Sequence, residues 1–368
     1  MRGYAPAMEL RRRNALTGAA ACALAACTPA PALRAFVNPF DAAALRGRKG
    51  RPAPANAGCQ AAAPPPRDLI VPQFYTDPPV FSRIDPERLA ARNAAVEPLQ
   101  VLVRTVTENA DRWASSSPAQ GRFAACAAAS LDAAARAESM SGRVDNQGAY
   151  ERKWVWCGLA IAHLKLVQAP EYDAHTQARV AAWLSRGFRA MRVVYDRPPG
   201  GAPSTQLNNH MTWAGLTALA IGLAAGDRAA WDWGLGKMAA TLHQVDADGF
   251  LPQELQRGSK AWHYHVFAMG PLAMGVVLAR ANGVDLADSR FRRVARRTFE
   301  AYADPDPFER RTGRRQETFN AQRPDVGWLE LYAGEFGAAD ALGPLRGRRP
   351  QRQPWLGGDL TLWHARDV

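Results

Sequence analysis

Two short clusters near the middle of the chain hold side chains suited to anion binding and proton transfer. The first contains Asn209 and His210, at the start of an apolar run, and the second contains Arg257 and Tyr264. An amide and a guanidinium can neutralise an anion, while an imidazole or a phenol can accept and donate a proton. Together the four side chains could stabilise negative charge beside a carboxylate and protonate a leaving oxygen.

Each of these residues also has a purely structural explanation. An asparagine at the start of a helix usually caps it, which suits Asn208. Tyr264 could be a core aromatic residue, and Arg257 could be a surface charge or a partner of Glu254. Arg257 and Tyr264 are seven residues apart and would share one face of a continuous helix, although Gly258 could end that helix.

The histidines of the second cluster do not have the spacing of a metal site. His263 and His265 are two residues apart and would point to opposite sides of a helix, so they chelate one ion poorly. The H-x-x-x-H spacing, the nucleophile elbow, the P-loop and the dinucleotide fingerprint are all absent from the sequence. We therefore expect no metal and no cofactor.

The elements that must position these clusters are helices. Segments rich in Ala, Leu, Arg and Glu alternate with short turns, whereas alternating β-branched runs are nearly absent. Short loops favour antiparallel helix hairpins, so the chain is predicted to be all-α, either a solenoid or a closed toroid with a groove for a long polymer. The predicted helices are 86–113, 118–139, 149–168, 173–195, 209–225, 228–246, 259–282 and 288–302.

A specific resemblance rests on the two clusters. Asn-Asn-His-x-x-Trp at 208–213, then Asp-Gly-Phe-Leu-Pro-x-Glu-Leu-x-Arg-Gly at 248–258 and Tyr264-His265, resemble polysaccharide lyase family 5, the mannuronate-preferring alginate lyases. Further matches lie at 281–286 and 356–361. The resemblance implies an incomplete (α/α) toroid of antiparallel helix hairpins, with a deep substrate cleft, no cofactor, and alginate as the partner.

The resemblance also implies roles in β-elimination on a uronate. Loss of the C5 proton requires a neutralised carboxylate, so Asn209 and Arg257 would hold that group while His210 assists or acts as a base. In mannuronate the C5 hydrogen and the C4 oxygen lie on one face, so Tyr264 could take the proton and return it. Arg257 is expected to lower the pKa of Tyr264 from about 10. In guluronate the two groups lie on opposite faces, and His210 would have to be the base.

Other residues are predicted to contact the polymer. Lys153 and Arg186 are candidate cleft cations, although each could be a solvated helix charge. The chain departs from the family at Thr212, where a tyrosine is usual, and at Phe74-Tyr75 of the lid, where a lysine-tyrosine pair is usual; loss of that lysine would weaken the grip on carboxylates. The predicted contacts are Tyr75, Lys153, Trp154, Asn208, Trp213 and His265.

The N-terminus has the order of an export signal. Arg11-Arg12-Arg13 precede an apolar run over 15–26, and Leu24-Ala25-Ala26-Cys27 resembles a lipobox. A lipid anchor at Cys27 and a plain signal peptide fit equally, and both place the chain in the periplasm, the first on the outer membrane. Nucleic acid is therefore not expected, although the net charge of +12 favours an acidic partner.

We expect three regions and a monomer. Residues 1–26 are the export signal, 27–66 an Ala/Pro/Arg-rich tether and extended lead-in that cannot sustain a helix, and 67–365 one catalytic domain without a membrane-spanning segment. An oxidising compartment predicts one disulfide among Cys59, Cys126 and Cys157. The residues alone do not select the pair, and the resemblance implies Cys59–Cys126.

Two other functions stay open. An inverting glycosidase on an α-toroid needs two carboxylates across a cleft. A non-catalytic alginate-binding lipoprotein would keep the fold, but the presence of all four candidate catalytic residues argues against a decayed enzyme. The acidic residues available to a glycosidase are Asp248, Glu254, Glu330 and Glu335.

Overall fold

The computed structural model describes residues 35–52, 58–77, 83–199, 204–317 and 324–365. The predicted export signal and Cys27 lie outside the described residues, and so do residues 200–203 of the loop before the first cluster. Phe36–Val368 form one compact unit.

Helices dominate the described chain, as the sequence predicts. The α-helices are α1 (Ala42–Lys49), α2 (Pro86–Ser115), α3 (Gly121–Arg136), α4 (Asn146–Leu166), α5 (Ala174–Tyr195), α6 (Asn209–Ala225), α7 (Arg228–His243), α8 (Pro252–Leu255), α9 (Ala261–Ala281), α10 (Ser289–Glu300), α11 (Asp306–Thr312), α12 (Trp328–Phe336) and α13 (Leu360–His364). Short 3-10 helices cover Gly258–Lys260, Pro324–Gly327, Ala339–Leu345 and Pro354–Leu356. In the described ranges, the strands are limited to the antiparallel pair β1 (Arg352–Gln353) and β2 (Gly358–Asp359).

Side-chain caps explain where six of the longer helices begin. Asp and Asn side chains accept hydrogen bonds from the otherwise unpaired backbone N–H groups of the first turn. Helix α6 also ends as expected, because Gly226 adopts the left-handed conformation with φ of 64°. The capping residues are Asp85 for α2, Asp145 for α4, Asp173 for α5, Asn208 for α6, Asp227 for α7 and Asp288 for α10.

The helices pack in two layers. Helices α2, α4, α6 and α9 contact one another in that order, while α3 packs on α2 and α5, and α7 packs on α6. Helices α4, α6 and α9 are buried on nearly all sides, which is typical of the inner layer. Among the described residues one stretch, Gly258–Ala281, is long and apolar enough to cross a membrane, but 78% of its most apolar window is buried in the fold. This extent of burial is typical of a helix in the core of the fold.

The lead-in contains a helix that the sequence analysis did not predict. Helix α1 begins after Asp41, whose side chain accepts from Ala44 N at 2.9 Å. Phe40, Ala42 and Leu45 are buried at 1% exposure or less, and α1 packs on α2. The prediction that 27–66 cannot sustain a helix is therefore wrong for Ala42–Lys49, because an Ala-Leu-Arg stretch between the proline-rich parts favours a helix once α2 covers its apolar face.

The disulfide implied by the resemblance is confirmed. Cys59 and Cys126 are bonded, with a Cα–Cα distance of 6.2 Å, and Cys157 is a buried free thiol. The bond attaches the lead-in to α3.

Replacing both bonded cysteines with alanine should lower the free energy of unfolding by about 4 kcal/mol, because the bond closes a loop of 67 residues in the unfolded chain. Urea unfolding of the wild type and of the double variant, each with and without reductant, measures the difference. Reductant should destabilise the wild type only. Equal midpoints for wild type and variant without reductant would contradict the stabilising role.

Candidate active site

A cavity of about 270 Å³ lies where the N-terminal ends of α4, α6 and α9 meet. The lining residues are polar or aromatic, and within the described chain none of them is Asp or Glu. The segment 73–75 forms one wall. The lining consists of Gln73, Phe74, Tyr75, Asn146, Gln147, Tyr150, Trp154, Thr205, Asn208, Asn209, His210, Arg257, His263, Tyr264 and Phe267.

All four predicted catalytic residues line this cavity. Asn209 and His210 are the first two residues of α6, while Arg257 and Tyr264 come from opposite sides of a turn. Of the two arrangements that the sequence left open, the structure has the broken helix: Gly258 has a φ of 57° and separates α8 from α9. The turn nevertheless brings the Arg257 guanidinium to 3.6 Å from the centroid of the Tyr264 ring.

A buried carboxylate orients Asn209. Glu254, 1% exposed on α8, accepts from the backbone N of Asn209 at 2.6 Å and from its Nδ2 at 3.1 Å. Burial raises the pKa of Glu254 to about 7, while the bonds from Asn209 and the charge of Arg257 oppose that rise. Glu254 is therefore bonded to Asn209, rather than forming the ion pair with Arg257 that the sequence left open. Asn208 caps α6 through His210 N at 2.9 Å, as predicted.

His210 packs against two aromatic rings of α4. Its ring centroid is 4.0 Å from that of Tyr150 and 5.7 Å from that of Trp154. Its Nδ1 lies 3.1 Å from Nζ of Lys153. Burial holds the pKa of His210 well below its ordinary value, and the charges of Lys153 and Arg257 act in the same direction. The imidazole is therefore neutral at physiological pH.

Tyr264 is a phenol in the free protein. Burial raises the pKa of Tyr264 above its ordinary value, Arg257 opposes the rise, and a hydrogen bond with Tyr75 favours the protonated form. The prediction that Arg257 brings this pKa below 10 is wrong, because desolvation of the phenolate outweighs the nearby cation. Tyr264 is thus ready to donate a proton, and its action as a base requires prior loss of one.

Two cations and one aromatic residue that were predicted to contact the polymer do not line the cavity. Lys153 is fully buried behind His210, and Trp213, 1% exposed, packs in the core against Phe267 with a centroid distance of 5.4 Å. Arg186 is at the surface, where its Nε lies 3.3 Å from a carboxylate oxygen of Glu138. Direct contact with the polymer, as predicted for Lys153 and Trp213, is not compatible with their burial, and Arg186 lies outside the cavity lining.

The two histidines of the second cluster point apart. His263 lines the cavity, whereas His265 is fully buried on the opposite side of α9. The Nε2 of His265 accepts from Leu251 N at 2.8 Å and its Nδ1 lies 2.8 Å from Ala261 O, and burial lowers its pKa to about 4. The predicted contact of His265 with substrate is therefore wrong, because both of its ring nitrogens bind backbone groups.

One face of α4 lines the cavity without being predicted from the sequence. Asn146, Tyr150 and Trp154 are spaced by four residues and all line the cavity, together with Gln147. Of these, only Trp154 was predicted. The spacing was visible in the sequence, but α4 is buried nearly all round, so no polar stripe marked the face that opens to the cavity.

The two departures from the family have different consequences. Thr212 is fully buried, and its hydroxyl lies 3.2 Å from that of Thr241, away from the cavity lining. Tyr75 does line the cavity, and the ammonium of Lys260 lies 5.7 Å from the centroid of its ring. Lys260, in the turn before α9, therefore lies next to Phe74-Tyr75, the segment in which the family usually has a lysine.

The known sequences that this chain resembles include alginate lyases and a polysaccharide lyase. The profile of the alginate lyase family matches residues 89–308. A polysaccharide lyase of Stenotrophomonas maltophilia strain K279a is 36% identical over 324 residues, which cover 84% of this chain and 92% of that protein. An alginate lyase of Pseudomonas aeruginosa strain LESB58 is 29% identical over 96% of this chain and 97% of that one.

Solved structures give the same fold. Alginate lyase A1-III from Sphingomonas species A1 superposes with a TM-score of 0.76 at 24% identity, over 89% of this chain and 95% of that one. A variant of A1-III complexed with a tetrasaccharide gives 0.77 at 24% identity, over 90% and 96%. The predicted (α/α) toroid is thereby confirmed.

Proposed function

The chain belongs to the alginate lyase family, and we propose that it cleaves the 1,4-linkage of β-D-mannuronate in alginate by β-elimination. The product would carry a 4,5-unsaturated uronate at its new non-reducing end. One observation carries this proposal: an amide, an imidazole, a guanidinium and a phenol meet in a cavity whose described lining has no carboxylate.

The charge distribution suits a uronate. Arg257 supplies a buried cation, and the N-terminal ends of α4, α6 and α9 carry partial positive charge toward the cavity. The tetrasaccharide held by the A1-III variant supports binding of an oligosaccharide by the same fold. Lys260 beside Tyr75 would add a second cation for a neighbouring carboxylate of the polymer.

The proposed reaction uses the four residues in order. Asn209, His210 and Arg257 hold the substrate carboxylate and stabilise the charge that develops on it. The Tyr264 phenolate takes the C5 proton, the C4–O4 bond breaks as the C4=C5 double bond forms, and Tyr264 returns the proton to O4. The buried cation of Arg257 favours the phenolate form that the first step needs. One residue can serve both steps only where the two groups lie on one face, as in mannuronate.

The four acids available to a glycosidase do not form a pair across the cavity. Glu254 binds Asn209, Glu330 binds Arg349 at 2.8 Å, and Asp248 and Glu335 are paired with surface arginines at 3.9 Å and 3.3 Å. Inverting hydrolysis needs an acid and a base on opposite sides of the bond. The geometry therefore favours elimination over hydrolysis.

We also propose that the protein acts as a monomer in the periplasm. The export-signal pattern over residues 1–26 and the Cys59–Cys126 disulfide both fit an oxidising compartment. Residues 1–26 would be removed, and the lead-in would precede the catalytic domain. The mass of the mature N-terminal peptide distinguishes a lipid on Cys27 from a plain signal cleavage.

Purified protein should produce ultraviolet-absorbing ends from polymannuronate at least about tenfold faster than from polyguluronate. A rise in absorbance equal to the rise in reducing ends identifies elimination. New reducing ends without absorbance would indicate a glycosidase instead. Polymer binding without any new ends would indicate the non-catalytic lipoprotein.

A further inference from the structure

The buried lysine behind His210 has three polar contacts. Lys153 is fully buried on α4, and its Nζ lies 2.9 Å from the hydroxyl of Tyr195, 3.1 Å from Nδ1 of His210 and 3.3 Å from the carbonyl oxygen of His210. Burial lowers the pKa of Lys153 well below its ordinary value. An ammonium would donate to all three partners, whereas a neutral amine can accept from the Tyr195 hydroxyl and donate to the carbonyl oxygen and to Nδ1. Both forms of Lys153 can therefore donate to Nδ1.

Donation from Lys153 to Nδ1 would select one tautomer of the imidazole. The ring of His210 is neutral, so it carries a single N–H. If Nδ1 accepts from Lys153, that proton must lie on Nε2, the nitrogen left for the cavity that His210 lines. The rings of Tyr150 and Trp154 both pack against the imidazole, at centroid distances of 4.0 Å and 5.7 Å, which opposes rotation that would exchange the two edges.

We propose that Lys153 holds His210 with its proton on Nε2, so that His210 donates to the uronate carboxylate and cannot take the C5 proton of guluronate. This inference rests on the proposed function and deepens it. Lys153 touches neither substrate nor reacting atoms, so it is a positioning residue. Restriction to mannuronate then follows from an imidazole that presents N–H rather than a lone pair to the cavity.

The tautomer can be measured directly in the wild-type protein. Nitrogen-15 NMR of histidine-labelled protein distinguishes a protonated ring nitrogen from a bare one, and a His210→Asn variant assigns the signal. We expect a bare Nδ1 and a protonated Nε2 for His210. A proton on Nδ1 in the wild type would overturn the inference, whether or not any lysine variant folds.

Lys153→Met removes the donor and keeps most of the side-chain volume. The tautomer of His210 should become mixed, kcat/KM on polymannuronate should fall by about tenfold to a hundredfold, and the ratio of guluronate to mannuronate activity should rise. An unchanged tautomer, or equal losses on both polymers, would refute the role of Lys153. If the variant does not fold, the wild-type spectrum decides alone.

Lys237→Met is the matched control. Lys237 donates to the backbone oxygen of Tyr195 at 2.9 Å and does not line the cavity. The Lys237→Met variant should leave unchanged both the tautomer of His210 and the ratio of guluronate to mannuronate activity. A changed ratio would show that removing a lysine near Tyr195 alters the substrate preference without acting through His210. If wild-type His210 carries its proton on Nε2 but neither polymer is cleaved, the proposed function fails while the Lys153–His210 arrangement stands.

Discussion

Tyr264→Phe should lower kcat on polymannuronate by about a thousandfold or more, with KM nearly unchanged. The phenol is the group placed to take the C5 proton and to return it to O4, so its loss removes both transfers. The phenylalanine ring keeps the stacking on Arg257, whose guanidinium lies 3.6 Å from the ring centroid. Initial rates from ultraviolet absorbance give kcat and KM. Retention of more than about a tenth of the turnover would move proton transfer to another group, with His210 the first to test.

The pH dependence provides an independent check on the same residue. Burial raises the pKa of Tyr264 above its ordinary value, so the phenolate fraction of the free enzyme grows as pH rises from neutral. Wild-type kcat/KM should therefore increase toward alkaline pH, and Tyr264→Phe should lose that dependence. Tyr150→Phe removes a second phenol from the same cavity and should lower kcat by no more than about tenfold, with the wild-type pH dependence kept. An equal loss in both variants would argue against a special role for Tyr264.

The sequence predicts the helices well because their signals are local. A capping Asp or Asn residue and Ala/Leu-rich runs mark the bounds of α2, α4, α5 and α6 within a few residues. Helix α1 was missed because its stability depends on packing against α2, a contact that composition does not reveal.

For the candidate site, the sequence predicts the four catalytic residues but not their surroundings. Residue types point to Asn209, His210, Arg257 and Tyr264, and all four line the cavity. The sequence does not reveal which side chains become buried. Packing of distant helices places Lys153 behind His210. Desolvation by the same packing raises the pKa of Tyr264, the reverse of the expected direction.

Arg257→Ala should impair both binding and turnover. The guanidinium is placed to pair with the ground-state carboxylate, so KM should rise by about tenfold to a hundredfold, in line with a charged hydrogen bond. It also stabilises the charge that develops during proton removal, so kcat should fall by a further factor of about a hundred. Arg186→Ala is the matched control, because Arg186 pairs with Glu138 at the surface. It should change neither constant, and circular dichroism should show both variants folded.

The double variant Arg257→Ala/Tyr264→Phe tests whether the two residues act as one unit. The Arg257 cation favours the Tyr264 phenolate through the stacked contact, so part of the loss in Arg257→Ala arises through Tyr264. Once the phenol is absent that part cannot be lost again, and the double variant should have a kcat close to that of Tyr264→Phe alone. Its KM should still rise as in Arg257→Ala, because the carboxylate contact does not depend on the phenol. Losses in kcat that multiply would instead show that Arg257 acts only on the substrate carboxylate.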